Sequence, residues 1–407
     1  MTLPWRKAME QALYGTDGFF VSGAGPAAHF RTSVHASPAF AAALVRLIHH
    51  LDGVLGFPGD FHVVDVGAGR GELLRSLSAG VGVEVAREPT AAAAPVPLAG
   101  RIRFTAVELA PRPAELPEQI SWTNEIPAGI TGLLLATEWL DNVPLDLATH
   151  AQGGWHYLRV DPTTGEETTG APVSQADADW LSTWWPTPTD THPTDPPEAP
   201  PDTKSPTGSG FRAARPAQGS SLTARSRSGC PETPTDRTST DRTPTDRSWR
   251  PGNLAEIGRA RDEAWAEAVG HVDRGLALAV DYGHLRAGRP VDGTLTGYRG
   301  GRQVPPVPDG SCDVTAHVAM DSVASAGERV ARCAYLLGSQ RDGLRALGAD
   351  GGRPPLSLAA SDPAGYVRAL AAASAAAELT DPAGLGGHWW LWQPVGLPAD
   401  RLPPARS

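Results

Sequence analysis

The chain has 407 residues, 41% of them hydrophobic, and a formal net charge of −10 at pH 7. This length allows one large α/β domain with additions, and the acidic balance argues against a nucleic-acid partner. No apolar run approaches the roughly 20 residues of a transmembrane helix, and the first residues lack the apolar core of a signal peptide. The three cysteines are widely spaced, which predicts neither disulfides nor a metal site. We therefore expect a cytoplasmic protein without membrane insertion.

The N-terminal region, residues 1–60, predicts helices and a lid-like loop. Trp5, Met9 and Leu13 recur every four residues, which indicates an amphipathic helix. Residues 15–40 are rich in glycine and small polar side chains, so they predict a loop before a second helix. Such a loop is either plain surface or a lid over a neighbouring site.

An apolar run followed by a glycine-rich turn lies at residues 61–74, with the sequence FHVVDVGAGRGELL. Only Asp65 interrupts the run, and the turn contains Gly67, Gly69 and Gly71. Run, turn and helix start predict the first strand, loop and helix of a nucleotide-binding α/β domain. The glycines allow a ligand to lie against the main chain, and the helix start supplies free N–H donors. The alternative is a tight glycine turn in some other α/β protein.

Acidic residues follow three further predicted strands. The second strand ends at Glu108, where a carboxylate can accept from both hydroxyls of a ribose, although an exposed strand-end glutamate is the alternative. A continuous apolar run at 130–137 is followed by Glu138 and Asp141, and a later run ends at Asp281. Open α/β sheets place ligands at the carboxyl ends of their strands. The competing interpretation is a pair of acids near a helix N-terminus.

A low-complexity segment interrupts the domain at residues 186–250, which are dense in Pro, Thr, Asp, Ser and Arg. It contains the repeats TPTDR, TSTDR and TPTDR at 233–247. Repeats this short and polar cannot bury a core, so we expect a disordered insertion. It separates the first part of the core, residues 61–185, from the second part, residues 251–400. Together the two parts predict one doubly wound α/β domain, a Rossmann-like core with helical and loop additions.

The second part of the core predicts three helices, a long loop and a last strand. Helical character is expected over 255–269, 329–347 and 364–377, and an apolar strand over 388–392. Residues 292–317 are too rich in glycine and proline for an ordinary connection. Loops of this length are usually functional or disordered.

Several short motifs follow one another along the chain outside the insertion. They are FRTSVHASPAF (30–40), DVGAGRGEL (65–73), TEWLDNVP (137–144), EIG (256–258), DYG (281–283), GTL (293–295) and DVTAHV (313–318). In order and approximate spacing they resemble the MidA family of S-adenosylmethionine (SAM)-dependent methyltransferases. This is the family of the mitochondrial complex I assembly factor that methylates an arginine of a core subunit. The sequence departs from the family motifs at Asp65, where glutamate is usual, and at Thr137, where asparagine is usual.

The resemblance implies a Rossmann-like methyltransferase core that uses SAM as its cofactor. SAM would be bound by Asp65, Gly67, Gly69 and Gly71, with Glu108 holding its ribose. It also implies methylation of an arginine nitrogen in a protein substrate, such as a subunit of respiratory complex I. The alternatives from other classes are a small-molecule methyltransferase and a catalytically silent assembly or partner protein that keeps the fold.

An arginine acceptor would need paired carboxylates to orient its planar, cationic guanidinium. Glu138 and Asp141 are the candidates, with Asp281 third. His317 could take the proton, since imidazole titrates in the right range, although a lone histidine is more often structural. No metal is expected.

Overall fold

The computed structural model describes residues 1–22, 38–84, 96–151, 153–185, 254–290, 292–349 and 351–403. Met1–Thr187 and Pro251–Ser407 form one structural unit. Residues 23–37 of the lid-like loop predicted over 15–40, and the disordered insertion predicted over 186–250, lie outside the described residues.

Helices and strands alternate along most of this unit. The α-helices are α1 (Trp5–Tyr14), α2 (Phe19–Ser22), α3 (Pro38–Leu55), α4 (Glu72–Glu84), α5 (Gln175–Trp184), α6 (Arg259–Gly270), α7 (Met320–Ala331), α8 (Gln340–Ala346), α9 (Leu356–Ser361) and α10 (Pro363–Leu379). The strands are β1 (Leu3–Pro4), β2 (Phe61–Val66), β3 (Ile102–Val107), β4 (Ile120–Thr123), β5 (Ile130–Thr137), β6 (Asp146–Ala151), β7 (Gly154–Val160), β8 (Glu167–Pro172), β9 (Leu254–Ile257), β10 (Val272–Asp281), β11 (Gly283–His284), β12 (Thr296–Arg299), β13 (Arg302–Val304), β14 (Asp313–Thr315), β15 (Val318–Ala319), β16 (Leu336–Ser339) and β17 (Trp389–Val395).

Seven strands form the central sheet, in the order β16-β17-β10-β5-β2-β3-β4. Strands β4, β3, β2, β5 and β10 run parallel, whereas β17 is antiparallel to both β10 and β16. The chain reverses its direction of winding between β2 and β5, which are neighbours in the sheet. The predicted Rossmann-like core is confirmed. Doubly wound sheets bind ligands at this switch point, outside the carboxyl ends of the strands.

Helices cover both faces of the central sheet because successive strand residues point to opposite sides. On one face, α3 and α4 pack against side chains such as Val63 and Leu135. On the other face, α6 and α7 pack against Val64 and Leu134, with Trp265 at the centre of the contact. This burial on both faces explains why the central strands read as continuous apolar runs in the sequence.

Helix α3 is long and apolar enough to cross a membrane, judged by length and composition. Its apolar side chains, among them Phe40, Leu44, Ile48 and Leu51, are buried in the cluster between the helix and the sheet. The apolar character of α3 is therefore accounted for by the protein core.

Two smaller antiparallel sheets accompany the central one. Strands β1, β7, β6 and β9 pair in that order, with β8 added to β7, and α5 packs on them through Trp180 and Leu181. Strands β13, β12 and β14 form the other sheet. Strands β7 and β8 pair antiparallel and form a hairpin.

Three predictions of local structure were wrong. Residues 254–257 form strand β9 rather than the first turn of a helix, because they pair with β6 and are buried throughout. The long loop over 292–317 contains β12, β13 and β14. The helix expected over 329–347 is divided into the end of α7, strand β16 and α8. Arg332 ends α7 in a left-handed conformation, and Ser339 caps α8.

A buried ion pair joins the end of α3 to the segment before β3. The Arg101 guanidinium donates through Nη1 to Asp52 Oδ1 at 2.7 Å and to the carbonyl of Pro58 at 2.7 Å. The side chains of Arg101 and Asp52 are 7% and 6% exposed. A neighbouring pair, Arg103 with Asp60 at 3.3 Å, is instead exposed on both sides.

We expect Asp52→Ala to lower the free energy of unfolding by about 3–5 kcal/mol, because it leaves a buried guanidinium without its counter-ion. The matched variant Arg103→Gln should lower it by less than about 1 kcal/mol, because water screens the exposed pair. Urea denaturation measures both values. Equal losses in the two variants would contradict the assignment of Arg101 and Asp52 as a structural pair.

Candidate active site

A cleft of about 800 Å³ opens at the carboxyl ends of β2, β3 and β5. Its wall includes Gly67 and Gly69 after β2, Glu108 after β3, and Glu138 and Asn142 after β5. The structure therefore brings four of the predicted site residues together beside the switch point of the sheet. The remaining ones lie nearby in different surroundings.

The three positions of the loop after β2 require glycine for different physical reasons. Gly67 and Gly69 both have positive φ, +70° and +58°. A Cβ atom at Gly67 would lie 2.7 Å from Cδ1 of Trp139, and one at Gly71 would lie 2.6 Å from Cδ1 of Leu116. A Cβ atom at Gly69 would have no heavy-atom neighbour closer than 3.9 Å. Packing thus requires glycine at Gly67 and Gly71, whereas Gly69 leaves free space on the cleft side.

The carboxylate of Glu108 is oriented by backbone donors. Its Oε2 accepts from the N–H of Gly69 at 2.9 Å, and its Oε1 accepts from Leu109 at 2.7 Å and Ala110 at 3.2 Å. These bonds hold the carboxylate at the wall of the cleft, where it can accept from ribose hydroxyls. The apolar side chain of Leu109 is 58% exposed and lines the same cleft with Ile126, which suits a planar base.

Asp65 is buried at the end of β2, next to the glycine loop. Burial raises its pKa to about 8, with contributions from the carboxyl groups of Glu108 and Glu72. The side chain is therefore mostly protonated at pH 7 in the absence of a ligand. A cation bound at the loop would favour the ionised form.

Glu138 is the first residue after β5 and has a positive φ of +51°. Its N–H donates to the carbonyl of Val280 on β10 at 2.8 Å, which fixes the direction of the turn. The left-handed conformation costs a non-glycine residue roughly 1–2 kcal/mol. Strain of this kind persists where the surrounding structure enforces it, often at functional sites.

The carboxylate of Asp281 holds the N–H groups of the turn that follows Glu138. Its Oδ2 accepts from Leu140 at 3.0 Å and from Asp141 at 3.3 Å, and its Oδ1 accepts from the N–H of Tyr282 at 2.9 Å. The sequence placed Asp281 third among the candidates for orienting an acceptor. These bonds instead use both of its oxygens to fix the backbone.

The buried guanidinium of Arg261, on α6, holds the carbonyl groups around the same turn. It donates to the carbonyls of Asp141 and, at 3.2 Å, Val143. It also donates to the carbonyls of Ala316 and His317, both at 2.9 Å. The turn after β5 is thereby tied to the segment between β14 and β15.

Asp141 lies beneath this turn rather than in the wall of the cleft. Its Oδ2 accepts from the hydroxyls of Tyr282 and Thr315, the latter at 2.8 Å. Its Oδ1 is buried without a partner among the described residues. Burial raises the pKa of Asp141, and the bonds from Tyr282 and Thr315 and the charge of Arg261 partly offset the rise.

His317 is exposed and does not belong to the described wall of the cleft. Its ring packs edge-on against Tyr282, with centroids 5.2 Å apart. The packing of the ring lowers the pKa of His317 from its ordinary value. Its backbone N–H donates to Oγ1 of Thr294 at 2.8 Å. The structure therefore connects His317 to Asp141 only indirectly, through Tyr282.

A second buried acid links three of the sequence motifs. Glu256 accepts from the backbone N–H groups of Thr294 and Leu295, the latter at 2.8 Å, and from Oγ1 of Thr294 at 2.8 Å. Because Thr294 Oγ1 also accepts from His317, the segments EIG, GTL and DVTAHV form one network. Their function here is to fix the loops around the turn after β5.

Sequence reasoning missed three residues that shape the cleft or its floor: Arg261, Asn142 and Tyr14. Asn142 donates from Nδ2 to Asp313 Oδ1 at 2.8 Å, and its carbonyl accepts from the hydroxyl of Tyr14 at 3.2 Å. These two bonds, and the bond from Arg261 to the carbonyl of Asp141, join residues at least 120 positions apart in sequence. For Arg261, the sequence offered one local indication of a special role, which is an arginine within the predicted helix of residues 255–269.

Comparison with protein families decides the class of this site. Residues 40–337, well over half of the chain, match the family described as "Putative S-adenosyl-L-methionine-dependent methyltransferase". The chain belongs to this methyltransferase family. It is a SAM-dependent methyltransferase, and SAM is its cofactor. A comparison with curated proteins gives no match.

Two solved structures of COG1565 superfamily proteins from Burkholderia thailandensis resemble this methyltransferase in fold. One, described as a "likely methyl transferase", is bound to S-adenosylhomocysteine and is 19% identical, with a TM-score of 0.68. The other is a native crystal structure, 20% identical, with a TM-score of 0.66. Each comparison covers 100% of this chain and 91% of the other.

The residues of the cleft fit the cofactor of the methyltransferase. Gly69 leaves open space where a side chain would block the cleft, and Glu108 offers an oriented carboxylate beside it. Asp65 supplies a carboxyl group that a bound cation would ionise.

We expect Gly69→Ala to weaken SAM binding by more than about tenfold, because its Cβ atom enters the space of the cleft. Gly300→Ala is the control, since Gly300 has φ of +57° and also nothing within 4 Å of an added Cβ atom, but lies in the turn between β12 and β13. Both should lose about 1 kcal/mol of stability to the strained backbone. Calorimetry should find SAM affinity unchanged in Gly300→Ala; unchanged affinity in Gly69→Ala would remove the loop from the site.

We expect SAM binding at pH 7 to release a proton from Asp65. The pKa of about 8 keeps the Asp65 carboxyl group mostly protonated in the protein without SAM. The positive charges of SAM lower this pKa, so the affinity for SAM rises as the pH approaches 8. Calorimetry in buffers of different ionisation enthalpy measures the released proton. Asp65→Asn should abolish the release. A wild-type protein that binds SAM without releasing a proton would contradict this linkage.

Proposed function

We propose that this enzyme methylates a guanidinium nitrogen of an arginine in a protein substrate. The observation that carries the proposal is the cluster of carboxyl groups at the ends of β5 and β10. Four side chains form it: Glu138, Asp141, Asp281 and Asp313.

The cluster contains more carboxyl groups than its described surroundings can keep in the ionised form. Burial and the charges of Asp141 and Glu138 raise the pKa of Asp281 well above its usual value, and they do the same for Asp313. Within the described part of the chain, Arg261 is the buried cation that opposes these shifts for Asp141 and Asp281. A cationic acceptor near Glu138 would therefore be attracted by the cluster and would favour its ionised form.

The wall of the cleft has the same electrostatic character. It contains the carboxyl groups of Glu108, Glu125, Glu138 and Glu267, and the described basic groups facing them are Arg70 and His271. A cleft lined mainly by acids concentrates cations, which suits both SAM and an arginine-containing segment.

The glycine loop and Glu108 would hold the donor half of the reaction. A solved structure of the same fold, from Burkholderia thailandensis, is bound to S-adenosylhomocysteine, which supports a binding site for the methyl donor in this fold. Methyl transfer joins the acceptor nitrogen to the methyl carbon as the bond from that carbon to sulfur breaks, and the nitrogen then loses one proton. The protein contributes mainly position and electrostatics.

Glu138 would orient the acceptor and receive its proton, since it is the predicted acceptor-side carboxyl group that lies in the wall of the cleft. Asp141 would hold the turn that carries Glu138 through its bonds to Tyr282 and Thr315. His317 remains a candidate for passing the proton to solvent, because it is exposed and an imidazole can accept a proton.

We expect Glu138→Gln to keep SAM affinity within about twofold and to lower methyl transfer by at least about 100-fold, the usual contribution of a positioned acid–base group. Glu267→Gln removes the same charge from the same cleft and should keep most of the activity. Transfer of labelled methyl groups from SAM into lysate proteins measures the rate, and calorimetry measures SAM binding. Near-normal transfer in Glu138→Gln would overturn the assignment of this residue.

The lysate experiment also tests the acceptor class. Hydrolysis of the labelled proteins should yield methylarginine, and subunits of respiratory complex I are the first candidates because of the motif resemblance. Label in molecules of low mass would instead identify a small-molecule methyltransferase. SAM binding without any transfer would identify a catalytically silent protein.

A further inference from the structure

Asn142 carries a polar atom that nothing in the described structure uses. The residue is 6% exposed and forms part of the wall of the cleft. Its Nδ2 donates to Asp313 Oδ1 at 2.8 Å, and its backbone carbonyl accepts from Tyr14. No described group donates to its Oδ1, and this atom is not among the fully buried unpaired atoms. The amide oxygen therefore faces the open space of the cleft.

The orientation of this amide is fixed by its neighbours. The carboxyl group of Asp313 is buried and binds the amide nitrogen, so the oxygen must point away from Asp313. Tyr14 holds the backbone of Asn142 from α1, and its ring stacks on Phe20 at 5.7 Å and 29°. Both rings line the cleft. An oriented acceptor therefore lies in the same cleft as two aromatic rings.

This arrangement favours a ligand that carries several N–H groups. An amide oxygen accepts hydrogen bonds and cannot donate them, so it favours a ligand that presents N–H groups to it. Glu138, four positions earlier on the same turn, adds a carboxyl group to the same wall. A planar cation with several N–H donors can bond to both groups and lie against an aromatic ring.

We infer that Asn142 is a specificity-determining residue of the acceptor site, whose Oδ1 accepts an N–H of the substrate guanidinium. The inference rests on the proposed function and deepens it. Asp313 and Tyr14 are positioning residues, because they act on the acceptor only through the orientation of Asn142.

The test uses the full chain and three adenosine ligands. They are S-adenosylhomocysteine, an analogue with a guanidinoethyl arm at the position of the transferred methyl group, and the same analogue with a 4-methylpentyl arm of equal size. The ratio of the two analogue affinities reports the acceptor site, and S-adenosylhomocysteine reports the donor site. We expect wild-type protein to prefer the guanidine arm by at least about tenfold, as for a hydrogen bond to a charged group.

Asn142→Leu should lower this preference by about tenfold while the affinity for S-adenosylhomocysteine stays within about twofold. Asn142→Ala serves if the leucine variant fails to fold, and Tyr14→Phe should give a smaller loss because it keeps the ring. Asn124→Leu is the control, since Asn124 lines the same cleft after β4 and its loss should leave the ratio unchanged.

Two results would overturn the inference, and they are distinguishable. A preference that survives in both Asn142 variants removes Asn142 from the acceptor site and leaves the proposed function intact. A wild-type protein that binds S-adenosylhomocysteine without any preference for the guanidine arm overturns both the inference and the proposed arginine acceptor.

Discussion

The turn after β5 depends on two buried side chains of opposite charge. Asp281 accepts from its N–H groups, and Arg261 donates to its carbonyl groups and to those of the segment after β14. A turn buried at the end of a central strand has few backbone partners of its own, and unpaired polar groups there would be destabilising. The two side chains meet this requirement, and as a result they also hold Glu138 and Asn142 at fixed positions in the wall of the cleft.

The same constraint explains the electrostatics of the site. The carboxyl groups needed to hold loops and to face the cleft lie close together, and Arg261 opposes only part of their mutual repulsion. The raised pKa values of Asp281 and Asp313 follow from this crowding and from burial. A site of this kind suits positive charge, which is the basis for our proposal that Asp65 faces the donor and Glu138 faces the acceptor.

The sequence allowed prediction of those parts of the site that depend on local pattern. The segments before Gly67 and Glu138 read as strands because they are apolar, and the one before Glu108 because it alternates; their carboxyl ends meet because the strands are parallel. The pairing of β9 with β6, and of β12 with β14, depends on partners distant in sequence and left no local period. The sequence did not predict the roles of Arg261 and Asn142 for the same reason, because each residue bonds to a segment that is remote in sequence.

The contact between α5 and β9 has a consequence for the number of residues that can separate them in sequence. The two elements pack against each other through Trp180, Leu181 and Ile257, although residues 185–253 separate them in sequence. The entropy of closing a flexible loop grows only with the logarithm of its length, about 0.6 kcal/mol for each doubling. For the disordered insertion that the sequence predicts between these elements, a change of length is therefore expected to alter the free energy of unfolding only slightly.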